Sequence, residues 1–298
     1  MMLSPFFTKL ACGFALFITT NAFSGIFDFG KTPLQKGETW LINFDSDDVG
    51  PYSWLQLYLD WSGPKWQMGR NLVSVVEGED LAFSGKALQL TYPAGISSCK
   101  GRKRCINWPV DLGIKLDRLY YGYRFKMPEN FEFIKGGKLP GVAGGKGNAG
   151  GQVPTGRDGW SVRMMWDGKG RLVQYVYHPE QKGQYGDVLY LDTGGAIELG
   201  VWHTVQTLVE LNTPGKHNGR IITWLDGKKV LTKEKMRFRD VNRLKISRFQ
   251  FISFFGGNGP DWAPRKDEHI YIDDVRFSAK TPPFYTDDEN KNKSDSAE

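Results

Sequence analysis

A hydroxyl, a guanidinium and two phenols recur at alternate positions in two neighbouring segments. Ser161 and Arg163 lie in WSVRMMW, and Tyr175 and Tyr177 lie in QYVYH. Lys138 precedes them in KGGKLPG. Such a set could hold an anion and move a proton. Arg suits a bidentate grip on a carboxylate. A Tyr or Lys among cationic neighbours can have its pKa lowered enough to act as a base. The residue types leave open which of Lys138 and the tyrosines is base and which is acid. Taken singly, each also has a plain reading: a lysine in a glycine-rich loop as solvated surface, Tyr-x-Tyr as a packed sheet face.

The positioning elements are legible in part. Trp160 to Trp166 and Arg171 to Tyr177 read as strands joined by Asp167-Gly168-Lys169-Gly170, a hairpin signal. Side chains alternate along a strand, so Ser161 and Arg163 share a face, as do Tyr175 and Tyr177. Loop length decides whether the two sets meet. An even-numbered loop separates them. A three-residue loop, Gly168-Lys169-Gly170 with Gly170 in a left-handed bulge position, pairs Arg163 with Tyr175 and Ser161 with Tyr177. The glycine favours the second register, which turns His178 away from the tyrosines. The Gly-rich run from Lys135 to Gly159 reads as a loop that lets backbone approach a ligand. Lys135, Gln152 and Arg157 in it, and Arg124 upstream, are candidate substrate-binding residues.

The chain has 298 residues, 14% of them aromatic, with 36 glycines and a formal charge of +6. The tail from Thr286 holds five acids against two lysines, so the rest is more basic still. A basic body points to a polyanionic partner. Lys9, the apolar run Leu10–Thr20 and Ala22-Phe23-Ser24 read as a secretory signal over 1–24, and the apolar run is too short to span a bilayer. Secretion, or release into a periplasm, is the expectation, with no stable membrane association after cleavage. Lipidation at Cys12 is discounted, because Lys9 sits where an apolar residue is expected. Cys99 and Cys105 then form an even pair and read as a short-loop disulfide.

Short strands follow one another: 38–44, 71–76, 87–92, 119–127, 202–211, 220–230 (with an Asp-Gly turn), 248–255 and 269–277. In LYYGYRFKM, Leu119, Tyr121, Tyr123, Phe125 and Met127 form one face. Nowhere does a helical period persist for three turns. The expectation is an all-β sandwich with little helix, a single domain over 25–285, and a disordered acidic tail over 286–298.

The run YRFKMPENFEFIKGGKLPGVAGG, then WSVRMMW and QYVYH, resembles polysaccharide lyase family 14, whose members cleave alginate or glucuronan. RIITWLDGKKV, FFGGNGPDWAP and HIYIDDVRF fit as well. The resemblance implies a β-jelly roll (concanavalin A-like) with a concave, basic, aromatic-lined groove. It implies metal-independent β-elimination of a 4-linked polyuronide, with no cofactor, and an acidic polysaccharide as partner. The family's functional positions fall on Lys138, Ser161, Arg163, Tyr175 and Tyr177. Ser161 is expected to orient, a tyrosine to act as acid, and Lys138 to act as base or charge stabiliser.

Rival classes find less support. No Glu-x-Asp-x-x-Glu run offers a glycosidase pair, and no Gly-x-Ser-x-Gly elbow surrounds Ser161. Four scattered histidines give no zinc spacing. Nucleic-acid binding suits the charge but not an exported, disulfide-bonded chain. A non-catalytic lectin-like jelly roll for acidic polysaccharide is the alternative. The chain is expected to act as a monomer.

Overall fold

The computed structural model describes residues 32–99, 105–257 and 259–284. The signal reading over 1–24 and the acidic tail lie outside them. In chain order the elements are β1 (Trp40–Ile42), β2 (Gly50–Pro51), helix α1 (Trp54–Asp60), β3 (Val73–Glu77), β4 (Lys86–Tyr92), β5 (Ile106–Leu116), β6 (Arg118–Lys126), β7 (Gly136–Gly145) and β8 (Gly159–Asp167). There follow β9 (Leu172–Tyr177), β10 (Asp187–Tyr190), β11 (Trp202–Glu210), β12 (Gly219–Leu225), β13 (Lys228–Met236), β14 (Ile246–Phe255) and β15 (Glu268–Ser278).

The strands form two antiparallel sheets. One runs β13-β12-β11-β6-β15-β4-β3-β2, with β1 also on β15, and has nine strands. The other has six, in the order β10-β9-β8-β7-β14-β5. The core lies between them. Leu119, Tyr121, Tyr123, Phe125 and Met127 all point into it, as their alternation requires. Trp108 stacks on Phe251 with ring centroids 4.5 Å apart. Each such fully buried aromatic contributes roughly 1.5–3 kcal/mol from area alone. Gln174 crosses the core to donate to Thr207 Oγ1 at 3.0 Å and Thr223 Oγ1 at 3.2 Å, tying the sheets by polar contact.

Five elements escape the sequence reading, the short β2 and β10 and three others. Helix α1 has only seven residues, too few for a helical period to emerge. It is set by a capping box in which Ser53 accepts from the Gln56 amide and Gln56 accepts from the Ser53 amide. Strand β5 carries Pro109 and Gly113, which blur its alternation.

The third is a correction. Gly136–Gly145 is not loop but an inner strand of the six-stranded sheet. Its glycines leave room for side chains of β8. A Cβ on Gly137 would lie 2.0 Å from the Trp166 ring, and one on Gly144 2.5 Å from Trp160 Nε1. On the opposite face, a Cβ on Gly141 would lie 2.6 Å from Arg163 Cα.

Candidate active site

The β8–β9 hairpin takes the three-residue register. Ser161 faces Tyr177 and Arg163 faces Tyr175. Gly170 adopts φ +74°, and a Cβ there would strike the Phe133 ring. The four polar side chains therefore share the outer face of the six-stranded sheet. Lys138 joins them from β7. Pairing of β7 with β8 shifts by one residue between Lys138 and Gly141, where Pro140, lacking an amide hydrogen, is tolerated in a bulge. The bulge keeps Lys138 and Gly141 on the outer face while Leu139 and Val142 fill the core.

Lys138 Nζ sits 3.8 Å above the centroid of the Tyr175 ring. Its hydrogen bond goes to Met165 Sδ at 2.9 Å, a weak acceptor. Desolvation, and then the charge of Arg163, pull the Lys138 pKa well below that of a free lysine. Tyr175 moves the other way. Burial raises its pKa, and hydrogen bonding to Tyr177, with the hydroxyls 3.4 Å apart, raises it further. A lysine inclined to be neutral thus abuts a phenol inclined to keep its proton.

Arg163 is 5% exposed. It donates to Ser161 Oγ at 3.2 Å, and Ser161 donates to the Asn148 carbonyl at 2.7 Å. Its buried Nε has no partner. The loop between β7 and β8 covers this side. The Gly151 amide donates to Tyr177 Oη at 3.1 Å. Asp158 fastens the loop by accepting from Thr155 and Asn148. Its slight burial is outweighed by these hydrogen bonds, which hold its pKa at about 2.

Further residues of this outer face come from β14, a strand in which the sequence reading named no candidate. Arg248 on β14 stands across β7 from Ser161, level with Ala143. Gln250 stands level with Gly141 and Arg163 and donates to Asn107 Oδ1 on β5. Among the described residues, no ion pair within 4 Å involves Lys138, Arg163 or Arg248 (Asp111, cross-strand from Arg248, accepts from the Gly113 amide instead). The signal for Arg248 and Gln250 was their alternation in RFQFISFF, readable only once β14 is known to be beside β7.

The other candidates scatter. Lys135 is exposed and ion-paired to Asp261 at the end of β7. Gln152 is exposed on the loop that covers Ser161 and Tyr177. Arg157 is exposed at the far end of that loop, its carbonyl accepting from Arg243. Arg124 is not brought to this face. It points outward from the nine-stranded sheet, 3.4 Å from Asp274 and stacked on Phe83 at 3.5 Å. Its strand pairs with β11 and β15, which puts the whole core between it and Arg163. Cys99 and Cys105 are joined by a disulfide.

The model of the polysaccharide lyase 14 family matches residues 81–275. The chain belongs to polysaccharide lyase family 14. It is accordingly a polysaccharide lyase. Among solved structures it is similar to the alginate lyase Aly36B, at 24% identity and TM-score 0.71, over 80% of this chain and 96% of that one. It is also similar to the marine alginate lyase of that family from Aplysia kurodai, at 24% identity and TM-score 0.66, over 80% and 98%. A third is the endo-β-1,4-glucuronan lyase of Trichoderma reesei, at 16% identity and TM-score 0.53, over 75% and 95%. These likenesses concern the fold. No curated protein sequence matches the chain. In this family member β1, β2, α1 and β3 precede the matched stretch, yet β1 to β3 complete its larger sheet.

Proposed function

We propose that this lyase cleaves a 4-linked polyuronide, alginate or glucuronan, by β-elimination at Lys138, Arg163 and Tyr175. The observation that carries the reading is the pairing of a lysine with a lowered pKa and a tyrosine with a raised one, beside a guanidinium without a counter-ion. The solved alginate and glucuronan lyases of the same fold support the substrate class.

The chemistry needs three acts. Arg163, backed by Arg248, neutralises the C6 carboxylate so that the C5 proton becomes acidic. Neutral Lys138 takes that proton at Nζ. The electron pair forms the C4–C5 double bond, the C4–O4 bond breaks, and O4 takes the phenolic proton of Tyr175. Tyr177 and Ser161 hold Tyr175 and Arg163 in place. Cationic side chains supply the neutralisation, so the reaction proceeds without a metal. The signal reading and the Cys99–Cys105 disulfide support an exported enzyme.

The test is ultraviolet absorbance of unsaturated uronate ends, with chelator present, on polymannuronate, polyguluronate and glucuronan. A rise on one polymer, lost in Lys138→Ala, is expected. Retention on immobilised alginate with no rise on any polymer would leave only a lectin.

A further inference from the structure

The two sheets end side by side at β10 and β13, their respective edge strands. Between these edges lies a cavity of about 510 Å³, within the range of small-ligand sites, roughly 300–1,000 Å³. It lies behind β9, on the side that His178 faces and away from Tyr175 and Tyr177.

His178 is 7% exposed. Its Nε2 is 2.9 Å from Asp187 Oδ2, while its buried Nδ1 has no partner. With the Nε2 hydrogen donated to the carboxylate, Nδ1 is a bare acceptor on a residue that lines the cavity. Such an atom is satisfied by a hydroxyl.

Cations surround it. Lys182 comes from the strap between β9 and β10, and Lys233 and Lys235 come from β13. Lys233 pairs in register with Ile221, a core residue, so it points inward from its sheet. Pairing of β13 with β12 then shifts between Gly219 and Ile221, and Lys235 takes φ +57°, a conformation rare outside glycine. This bulge lets Lys233 and Met236 both line the cavity. One inward lysine would suffice to keep an edge strand from pairing with another chain; three lysines that have no ion pair within 4 Å among the described residues do more. Glu180 and Arg237 also line the cavity, but they are paired with each other and with His217 and Asp240.

We propose that this cavity is a second carbohydrate site, taking one end of an acidic oligosaccharide. The lysines hold a uronate carboxylate, and His178 Nδ1 accepts from a ring hydroxyl. A bare inorganic anion would satisfy the lysines but not the histidine. The ligand's identity rests on the polyuronide reading above; the site itself does not. The strap that carries Lys182 also carries Gly186, where a Cβ would press on the Tyr177 ring at 2.8 Å.

The experiment is calorimetric titration of the Lys138→Ala chain, which does not consume its ligand, with trimers of mannuronate, guluronate and glucuronate. Two binding events per chain are expected with one of them. Lys182→Ser with Lys233→Ser, both exposed positions, should weaken one event at least about tenfold; Arg163→Ala should weaken the other. A single event, indifferent to the lysine pair, would overturn the second site. Displacement of the lysine-dependent trimer by equimolar sulfate would overturn it as a sugar site. Failure of the wild-type chain to release unsaturated uronate, with lysine-dependent binding intact, would sink the lyase reading and leave the second site standing.

Discussion

The outer faces of the two sheets carry similar residues to opposite ends. On the nine-stranded sheet, Arg124 lies on Phe83 and beside Asp274, which also holds Arg276. On the six-stranded sheet, Lys138 lies on Tyr175, and Arg163 lies near Tyr177, with no acid among the described residues paired to either. Both faces combine cations with aromatic rings. What separates them is the counter-ion. A cation already paired has little attraction left for a substrate carboxylate, whereas an unpaired, desolvated one is costly until a carboxylate arrives.

Removing the proposed base tests this contrast hardest. Lys138→Ala should lower kcat by roughly a hundredfold to ten-thousandfold, with the fold intact by circular dichroism. In the wild type, kcat/KM should rise with pH as Lys138 loses its proton, at a midpoint below the ordinary lysine value of 10.5. The raised pKa of Tyr175 should postpone any alkaline fall. A profile that instead declines from neutral pH upward would reverse the two roles.

A matched pair of substitutions is gentler. Arg163→Lys keeps the charge but loses the fork, and should lower kcat/KM at least about tenfold. Arg124→Lys should leave it within about twofold and lower stability by up to ~1 kcal/mol through lost stacking and pairing. Equal kinetic losses at the two positions would end the distinction between the faces.

An acidic mirror of the groove lies at α1, with the smallest expected effect. Burial raises the Asp60 pKa to about 8, although its hydrogen bond from Tyr52 works against the rise. Among the described residues, no ion pair within 4 Å reaches it. The folded chain thus holds a proton that the unfolded chain sheds above about pH 4, and stability falls from there to about pH 8. Asp60→Asn should raise Tm by about 2–4 °C at pH 9 and hardly at all at pH 4. Scanning calorimetry at both values checks this.

The sequence was most legible where side-chain chemistry and backbone geometry coincide. Gly170 announced the hairpin loop, and with it the meeting of Ser161 and Arg163 with the tyrosines. The two-residue alternation of LYYGYRFKM announced the core face of β6. Legibility failed where a strand is defined by its neighbours. Gly136–Gly145 has a single β-branched residue, Val142, and no aromatic one, too few to mark a strand, because β8 supplies the side chains that fill its space. Arg124 failed for a related reason. Its alternation was right, but alternation cannot say which of two sheets a strand joins. Arg248 and Gln250 were hidden by the same ignorance of strand order.

The glycines of β7 also fix a distance. At Gly141 the nearest atoms are main chain, the Val162 carbonyl and Arg163 Cα, so nothing soft lies between the strand that carries Lys138 and the strand that carries Arg163. Their separation is the hydrogen-bonded pitch of a β-sheet, about 4.7–4.9 Å, rather than the sum of side-chain rotamers. The groove floor behaves as a ruler cut in backbone. Deepening or shifting the groove by evolution or by design therefore has to act at its rims, on the loops and the outer strands, since even one methyl group at Gly141 would force two strands apart.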